Sequence, residues 1–233
     1  METIPKLKTG AVHDTIPTKP ILRGCHVTTS NGRPPNVLLF LGSGFEDLEA
    51  VTVLDACGWT SYRDHLTDVQ VTVTGLHPEI QGRFGVILKA DVPFEALVAS
   101  DYDAIVLPGG FGSHGYDEVY DERIYALLRA IYEQGGIVVT MCIGILPVAE
   151  AGLVEGKCAT TYPYSSHDNM EQLRQGGART SQDLVVSDDR IISCRGPVQS
   201  LEIALLLLES LIGPDASAEV RRFMTGDDTT STG

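Results

Sequence analysis

Cys142 is the residue whose type and position most clearly indicate chemistry. It follows the short β-branched run 137–141 and precedes a segment with leucine and alanine at helical spacing. The chain is therefore expected to turn sharply from a buried strand into a helix at this residue. A side chain at such a turn projects beyond the carboxyl end of its strand, as the nucleophile of a hydrolase does. The sequence predicts a cysteine nucleophile elbow; the alternative is a buried cysteine that packs as a small hydrophobe.

The electrostatic setting of this turn favours an anion. Backbone N–H groups that open a helix carry partial positive charge. They are expected to lower the pKa of the Cys142 thiol and to raise its thiolate fraction.

The elements that must position Cys142 alternate between strands and helices. The strand patterns are 37–41, 69–74, 104–107 and 137–141, with a hairpin-like excursion before 89 and shorter strands at 157–161, 184–186 and 191–194. Helical patterns occupy 46–58, a short segment from 94, 124–132, the elbow helix, 200–212 and 215–224. This order predicts an α/β three-layer sandwich with an open, mostly parallel, flavodoxin-like sheet. The loops after Leu41 and Leu107 and the elbow should then meet beyond the carboxyl ends of the strands.

The domain organisation follows from composition. Residues 1–35 are rich in proline and show no sustained period, which predicts an extended or disordered arm. Residues 36–224 form the predicted α/β domain, and residues 225–233 form a predicted disordered tail.

Charge and cysteine usage exclude several classes of protein. The 233 residues carry a net charge of −14, which argues against nucleic acid and anionic membranes as partners. No apolar run approaches the roughly 18 residues that cross a bilayer. The five cysteines are widely spaced, without Cys-x-x-Cys or clustered histidine. We therefore expect neither a disulfide framework nor a metal site, and a cytoplasmic location.

Five motifs together carry a resemblance to a known family. The chain resembles the ThiJ/PfpI superfamily, in particular the branch of the parkinsonism-associated deglycase and redox-responsive chaperone. The resemblance runs from about Val37 to Met224 and rests on the segments 44–51, 107–110, 141–144, 160–163 and 193–197.

The resemblance implies roles for the residues around Cys142. In the family an acid of the first helix hydrogen-bonds the elbow cysteine, and the matching position is Glu49. A carboxyl beside a thiolate is expected to have a raised pKa and to shuttle a proton. Gly109 and Gly110 resemble residues whose backbone approaches the sulfur, so their N–H groups and that of Ile143 are expected to form an oxyanion site. For Glu49 alone an exposed first-turn acid is the alternative, and for the glycines a tight turn.

Further residues are expected at the substrate or at a subunit contact. Arginines that match Arg195 and Arg83 bind small anions or serve the dimer contact in relatives, although a surface salt bridge would also explain Arg83. Tyr162 could offer its hydroxyl to a substrate or simply pack, and His167 could swing in or face solvent. The predicted substrate-binding set is Glu46, Arg83, Tyr162, His167 and Arg195.

One departure from the family concerns histidine. Relatives with glyoxalase or peptidase-like activity carry a histidine directly after the cysteine or in a Thr-His-Pro stretch. Ile143 and Tyr162 occupy those positions here. A complete Cys-His-acid triad is therefore not expected, which weakens hydrolysis of stable peptides most.

Two functions follow as expectations. The first is an enzyme, without metal or organic cofactor, in which Cys142 attacks a small electrophilic substrate, by glyoxalase- or deglycase-like chemistry or by hydrolysis or hydration of an imide, amide or isonitrile. The second is a redox sensor or holdase chaperone that acts through oxidation of Cys142. Relatives pair through the first helix and the region around Arg83, so a homodimer is expected in either case.

Overall fold

The computed structural model describes residues 33–163 and 168–226, which build a six-stranded sheet with two small two-stranded sheets beside it. The six-stranded sheet has the order β2-β1-β5-β6-β10-β9. All neighbours are parallel except β9 and β10. The strands of the central sheet are β1 (Asn36–Phe40), β2 (Gln70–Thr74), β5 (Ala104–Leu107), β6 (Ile137–Met141), β9 (Val185–Asp188) and β10 (Ile191–Cys194). The small sheets pair β3 (Glu79–Gln81) with β4 (Ile87–Lys89) and β7 (Cys158–Ala159) with β8 (Arg179–Thr180).

Six α-helices within the described residues cover the two faces of the sheet. They are α1 (Asp47–Gly58), α2 (Glu122–Glu133), α3 (Ile145–Glu150), α4 (Asn169–Gln175), α5 (Ser200–Ile212) and α6 (Pro214–Thr225). Alternate residues of the central strands face opposite layers: Val37 packs in the cluster of α1, α5 and α6, whereas Leu38 packs in the cluster of α2, α3 and α4. The predicted flavodoxin-like three-layer α/β sandwich is confirmed.

The sheet order explains where a site can form. From β1 the chain first crosses to β2 on one side and later returns to β5 on the other. The carboxyl ends of β1 and β5 therefore flank the switch point of the sheet, where open α/β sheets bind ligands. The strand β6, which leads into the elbow, is the next neighbour of β5.

Several elements differ from the sequence-based prediction, and a capping side chain explains two of them, α2 and α4. The helix α2 begins at Glu122, two residues before the predicted start, because the Asp121 carboxylate accepts the N–H of Arg123. The pattern missed α4, which the Asp168 carboxylate caps at the N–H of Glu171. The predicted helix from Phe94 is only a 3₁₀ turn over 94–96, and the predicted strand 157–161 is reduced to β7.

The predicted N-terminal arm begins to contact the domain before residue 36. Arg33 Nη1 lies 2.7 Å from Asp103 Oδ2, and the same oxygen accepts the N–H of Asn36. The Pro35 carbonyl accepts the N–H of Gln70. Residues 1–32 of the arm and 227–233 of the tail lie outside the described residues.

The β3–β4 hairpin is attached to α1 by one buried carboxylate. Asp47 is 8% exposed, and its two oxygens accept the N–H groups of Phe84 at 2.9 Å and Val86 at 2.8 Å. A Cβ on Gly82 would lie 2.6 Å from Asp47 Oδ2. The carboxylate therefore fixes the hairpin loop that carries Arg83 against the first helix.

We expect Asp47→Ala to lower the free energy of unfolding by about 2–4 kcal/mol, because two charge-assisted, partly buried hydrogen bonds are lost and two N–H groups lose their acceptor. Urea denaturation at pH 7 measures the change. Glu79→Ala is the matched control: this side chain on the same hairpin is 62% exposed and lies 3.7 Å from Lys89. Glu79→Ala should lower the free energy of unfolding by less than about 0.5 kcal/mol. Equal effects of the two variants would show that Asp47 does not hold the hairpin.

Candidate active site

The backbone of the elbow is strained at Cys142, and the turn requires glycine at position 144. Cys142 has φ +53°, in the left-handed region that non-glycine residues rarely occupy, and it opens a 3₁₀ turn over Cys142–Gly144 that runs into α3. A Cβ on Gly144 would lie 2.3 Å from the Leu107 carbonyl oxygen, so glycine is required there. The hydroxyl of Thr161 donates to the Cys142 carbonyl at 3.0 Å and holds the turn from the opposite side. The predicted elbow geometry is present.

Gly109 joins the cysteine to the first helix. A Cβ at this position would lie 2.6 Å from Cys142 Cβ and 3.1 Å from Sγ, so glycine is needed for the β5 loop to come this close. The N–H of Gly109 donates to Glu49 Oε2 at 2.7 Å, and its carbonyl accepts the N–H of Glu46 at 2.8 Å. Gly109 thus lies against the predicted nucleophile, donates a hydrogen bond to the carboxyl of Glu49 and accepts one from the backbone of Glu46.

Glu49 is fully buried on α1. Burial raises the pKa of its carboxyl to about 8; the Gly109 hydrogen bond opposes this change, and the charge of Glu46 adds to it. The raised pKa agrees with the sequence-based expectation, but its main cause is burial rather than a neighbouring thiolate. At pH 7 the carboxyl is therefore mostly neutral.

The position of the Glu49 proton follows from its hydrogen bonds. Oε2 accepts the N–H of Gly109, whereas Oε1 is buried without a hydrogen-bond partner among the described residues. A neutral carboxyl carries its proton on the oxygen that is not accepting an N–H, which here is Oε1. This O–H is thus available to a group that binds beside Cys142.

The expectation of a lowered thiol pKa at Cys142 is wrong for the unliganded site. Burial, followed by the charge of Glu49, raises the pKa of Cys142, and the N–H of Ile143 lowers it by a smaller amount. The helix-opening N–H acts in the predicted direction, but the dense surroundings outweigh it. The Glu49 contribution applies only when that carboxyl is ionised, so protonation of Glu49 relieves part of the increase.

The predicted oxyanion donors do not form one set. The N–H of Gly109 is already donated to Glu49, so it is not free to stabilise an oxyanion. Gly110 approaches Tyr116 rather than the sulfur: a Cβ on Gly110 would lie 2.1 Å from Tyr116 Cδ2. The N–H groups of Gly110 and Ile143 remain as predicted donors.

Two residues of the predicted substrate-binding set lie on the α1 side of the site. Glu46 caps α1 by accepting the N–H of Leu48 at 2.8 Å, and partial burial raises the pKa of its carboxyl. The guanidinium of Arg83 lies 5.3 Å from the ring centre of Phe84 and 5.7 Å from that of Phe111. Since Phe111 directly follows Gly110, this arginine stands close to the loop that contacts Cys142.

The remaining predicted residues lie on the other side of the elbow or outside the description. Tyr162 is exposed, and a Cβ on Gly196 would lie 3.2 Å from its ring. The Arg195 guanidinium donates to the Gln182 carbonyl at 3.2 Å, which ties it to a neighbouring loop. His167 lies outside the described residues.

The described histidines have partners other than Cys142. His65 contacts Glu219, His77 contacts Glu118, and His114 contacts Ser113. Within residues 33–163 and 168–226 there is also no group of three or more His, Cys, Asp or Glu side chains that could hold a metal ion. None of the helices described is long and apolar enough to span a bilayer.

Comparison with known proteins places this site in a family. A model of the DJ-1/PfpI family matches residues 35–210. The Drosophila melanogaster protein DJ-1alpha is 30% identical over 192 residues, covering 81% of this chain and 83% of the relative. The Pseudomonas putida isonitrile hydratase is 32% identical over 180 residues, covering 76% of this chain and 75% of the relative. The crystal structure of Drosophila melanogaster DJ-1beta shares 28% identity with a TM-score of 0.71, covering 82% of this chain and 98% of that one.

The raised pKa of Glu49 gives the protein a pH-dependent loss of stability. An ordinary glutamate ionises near pH 4.5, as in the unfolded chain, whereas the folded pKa is about 8. Between these values the unfolded state binds fewer protons, so the free energy of unfolding falls as pH rises and levels off above about 8. From pH 5 to pH 9 the free energy of unfolding of Glu49→Gln should therefore rise by about 4 kcal/mol relative to that of the wild type.

Urea denaturation across pH 5 to 9.5 checks this prediction. Glu202→Gln controls for the loss of one negative charge, because Glu202 lies exposed on α5. A Glu49→Gln variant whose stability runs parallel to that of the wild type would show that Glu49 is ionised in the folded protein.

Proposed function

The chain belongs to the DJ-1/PfpI family, and from that premise we propose that it is an enzyme without metal or organic cofactor in which Cys142 attacks a small electrophilic carbon. The observation that carries the proposal is the buried Glu49, which keeps an unpartnered Oε1 and touches the same glycine as Cys142. A buried neutral acid beside a nucleophile lowers the stability of the folded protein above pH 4.5. A role in proton transfer accounts for an acid at this destabilising position.

The addition step uses both side chains. Sγ of Cys142, after its proton has left to water, forms a bond to the electrophilic carbon as one π bond of that carbon breaks. The substrate atom that gains the electron pair takes the proton from Glu49 Oε1, which becomes a carboxylate. The N–H groups of Gly110 and Ile143 are the proposed donors to the developing negative charge. With an isonitrile, the carboxylate then removes a proton from water, which attacks the carbon and releases the sulfur as thiolate. With methylglyoxal, the carboxylate first removes the C–H proton of the sulfur adduct and returns a proton to the neighbouring carbon, which gives a thioester. Water, deprotonated by the carboxylate, then attacks the thioester carbon and releases the sulfur as thiolate.

The substrates that suit this chemistry are small and activated. An isonitrile or a reactive aldehyde such as methylglyoxal adds a thiol without expelling an amine, so it does not need a strong acid at a leaving group. The isonitrile hydratase relative supports the first class, and the resemblance to glyoxalase-like members supports the second. A reducing, cytoplasmic compartment is part of this proposal because the reaction needs a free thiol.

One observation also favours the redox alternative. Cys142 is partly exposed, whereas Cys57 and Cys194 are buried and less accessible to an oxidant in solution. Peroxide would therefore oxidise Cys142 in preference to these two thiols. Oxidation at Cys142 with altered client binding, in a protein that turns over no small electrophile, would support the sensor or chaperone function.

Turnover of isonitriles and of methylglyoxal by the purified protein tests the enzyme proposal. We expect Cys142→Ser to lower kcat/KM by at least about a thousandfold, since no other nucleophile is presented at the elbow. Glu49→Gln should lower kcat by about a hundredfold to ten-thousandfold, because the amide cannot exchange the proton. Alkylation of Cys142 should persist in Glu49→Gln, as shown by intact mass and peptide mapping.

Cys158→Ser is the matched control because Cys158 is also partly exposed but lies on β7, away from Glu49. It should retain wild-type turnover. Wild-type turnover in Cys142→Ser would show that Cys142 is not the nucleophile. A Glu49→Gln enzyme with wild-type kcat would remove Glu49 from the proton transfer.

We further propose that the chain forms a homodimer through α1 and the hairpin loop that carries Arg83. Apolar side chains are exposed along this surface: Leu48 is 54%, Phe84 is 67% and Ile87 is 57% exposed. Neighbouring exposed apolar side chains on a folded protein indicate a contact surface. The expected pairing of relatives through the same elements supports the assignment.

Light scattering at micromolar concentration should therefore give the mass of a dimer for the wild type. Leu48→Asp should give a monomer, because a charge would be buried at the contact. Leu184→Asp is the control, since this leucine is 49% exposed next to the edge strand β9. A monomeric wild type, or a Leu48→Asp variant that stays dimeric, would contradict the proposed interface.

A further inference from the structure

Tyr116 is a buried polar residue that the sequence did not single out. It opens a 3₁₀ turn over Tyr116–Val119 and is 1% exposed. Its ring fills the space that two glycines leave open: a Cβ on Gly110 would lie 2.1 Å from the ring, and one on Gly42 would lie 3.2 Å from it. Gly110 is therefore required for Tyr116 rather than for the sulfur of Cys142.

The Tyr116 hydroxyl binds the peptide that also binds Glu49. It donates to the carbonyl oxygen of Pro108. The N–H of the same peptide unit belongs to Gly109 and donates to Glu49 Oε2 at 2.7 Å. Because a peptide unit is planar, a hydrogen bond that fixes the direction of its carbonyl also fixes the direction of its N–H. The chain of contacts runs from Tyr116 through one peptide to the acid beside Cys142.

We propose that Tyr116 is a positioning residue whose hydroxyl orients the Pro108–Gly109 peptide and so sets the hydrogen bond that Glu49 receives beside Cys142. The hydrogen bond to the carbonyl also polarises the peptide and strengthens the N–H as a donor. This inference rests on the proposed pairing of Cys142 with Glu49, but on no particular substrate.

A core-filling role does not account for the hydroxyl. The ring alone satisfies the packing against Gly42 and Gly110, and phenylalanine would fill the same space. A buried hydroxyl loses its hydrogen bonds to water, which is unfavourable. The hydroxyl of Tyr116 is tolerated because it donates a hydrogen bond to the Pro108 carbonyl oxygen instead. Burial raises the pKa of Tyr116 well above its ordinary value, and the charges of Tyr120, Glu49 and Cys142 add to this increase.

The experiment compares four proteins by urea denaturation across pH 5 to 9.5: wild type, Tyr116→Phe, Glu49→Gln and the double variant. Without the hydroxyl the Gly109 N–H is a weaker donor, so the pKa of Glu49 should rise further. The pH at which the unfolding free energy stops falling should then move up by about half a unit in Tyr116→Phe. In the Glu49→Gln background, Tyr116→Phe should change the free energy of unfolding by the same amount at every pH. Tyr125→Phe, in the same hydrophobic cluster on α2, is the control for loss of a tyrosine hydroxyl.

The outcomes separate the possible roles. Apart from Tyr116 itself, the titratable groups that interact with Glu49 are Glu46, Cys142 and Cys194, and these three are the same in all four proteins, so the comparison isolates Tyr116. If Tyr116→Phe changes the free energy of unfolding equally at every pH, so that it stops falling at the same pH as in the wild type, the inference is overturned and Tyr116 is a packing residue. A pH-dependent effect that persists in the Glu49→Gln background would overturn it as well. Absence of turnover would end the proposed enzyme without changing these curves, so the two failures are distinguishable.

Discussion

The site depends on one hydrogen bond, from the N–H of Gly109 to Glu49 Oε2. It joins the loop after β5 to the first helix, and Gly109 in turn lies against Cys142. Both carboxyl ends at the switch point of the sheet, together with the elbow after β6, are thereby brought to one place. Because the bond uses Oε2, it also decides which Glu49 oxygen holds the proton. A single backbone contact thus fixes both the geometry and the chemistry of the pair.

Several features of the site destabilise the folded protein, and the surrounding sheet compensates for them. Glu49 is a buried acid, and Cys142 occupies a left-handed backbone conformation. Each costs on the order of 1–3 kcal/mol or more. The strands β1, β5 and β6 behind the site are buried on both faces, so their packing and hydrogen bonds can hold a conformation that the elbow would not adopt alone. A strained backbone at Cys142 together with the buried acid Glu49 is the arrangement expected of a functional site.

The sequence predicted most of the fold because its strongest signals were local. The apolar runs of β5 and β6 and the periodic helices α1, α2 and α5 follow directly from residue pattern. The short helix α4 escaped because its seven residues carry little periodicity and depend on the cap at Asp168. The thiol pKa of Cys142 was misjudged for a related reason: the helix-opening N–H groups are visible in a sequence, whereas burial by distant segments is not. The contact between Gly110 and Tyr116 is likewise a matter of packing, and no spacing rule predicts it.

The absence of a histidine from the two expected positions limits the chemistry in a definite way. Ile143 and Tyr162 cannot act as general bases near neutral pH, and the described histidines bind other partners. Among the residues that the structure describes, the proposed proton transfer at Cys142 is therefore assigned to the carboxyl of Glu49, whose pKa is about 8. An acid of that pKa can protonate a carbon, nitrogen or oxygen atom that becomes strongly basic as sulfur adds to it. It cannot at the same time protonate an amine leaving group and activate water, which cleavage of an amide requires. Addition to an already activated carbon needs only one proton at each step, and this is the chemistry that we propose for the Cys142–Glu49 pair.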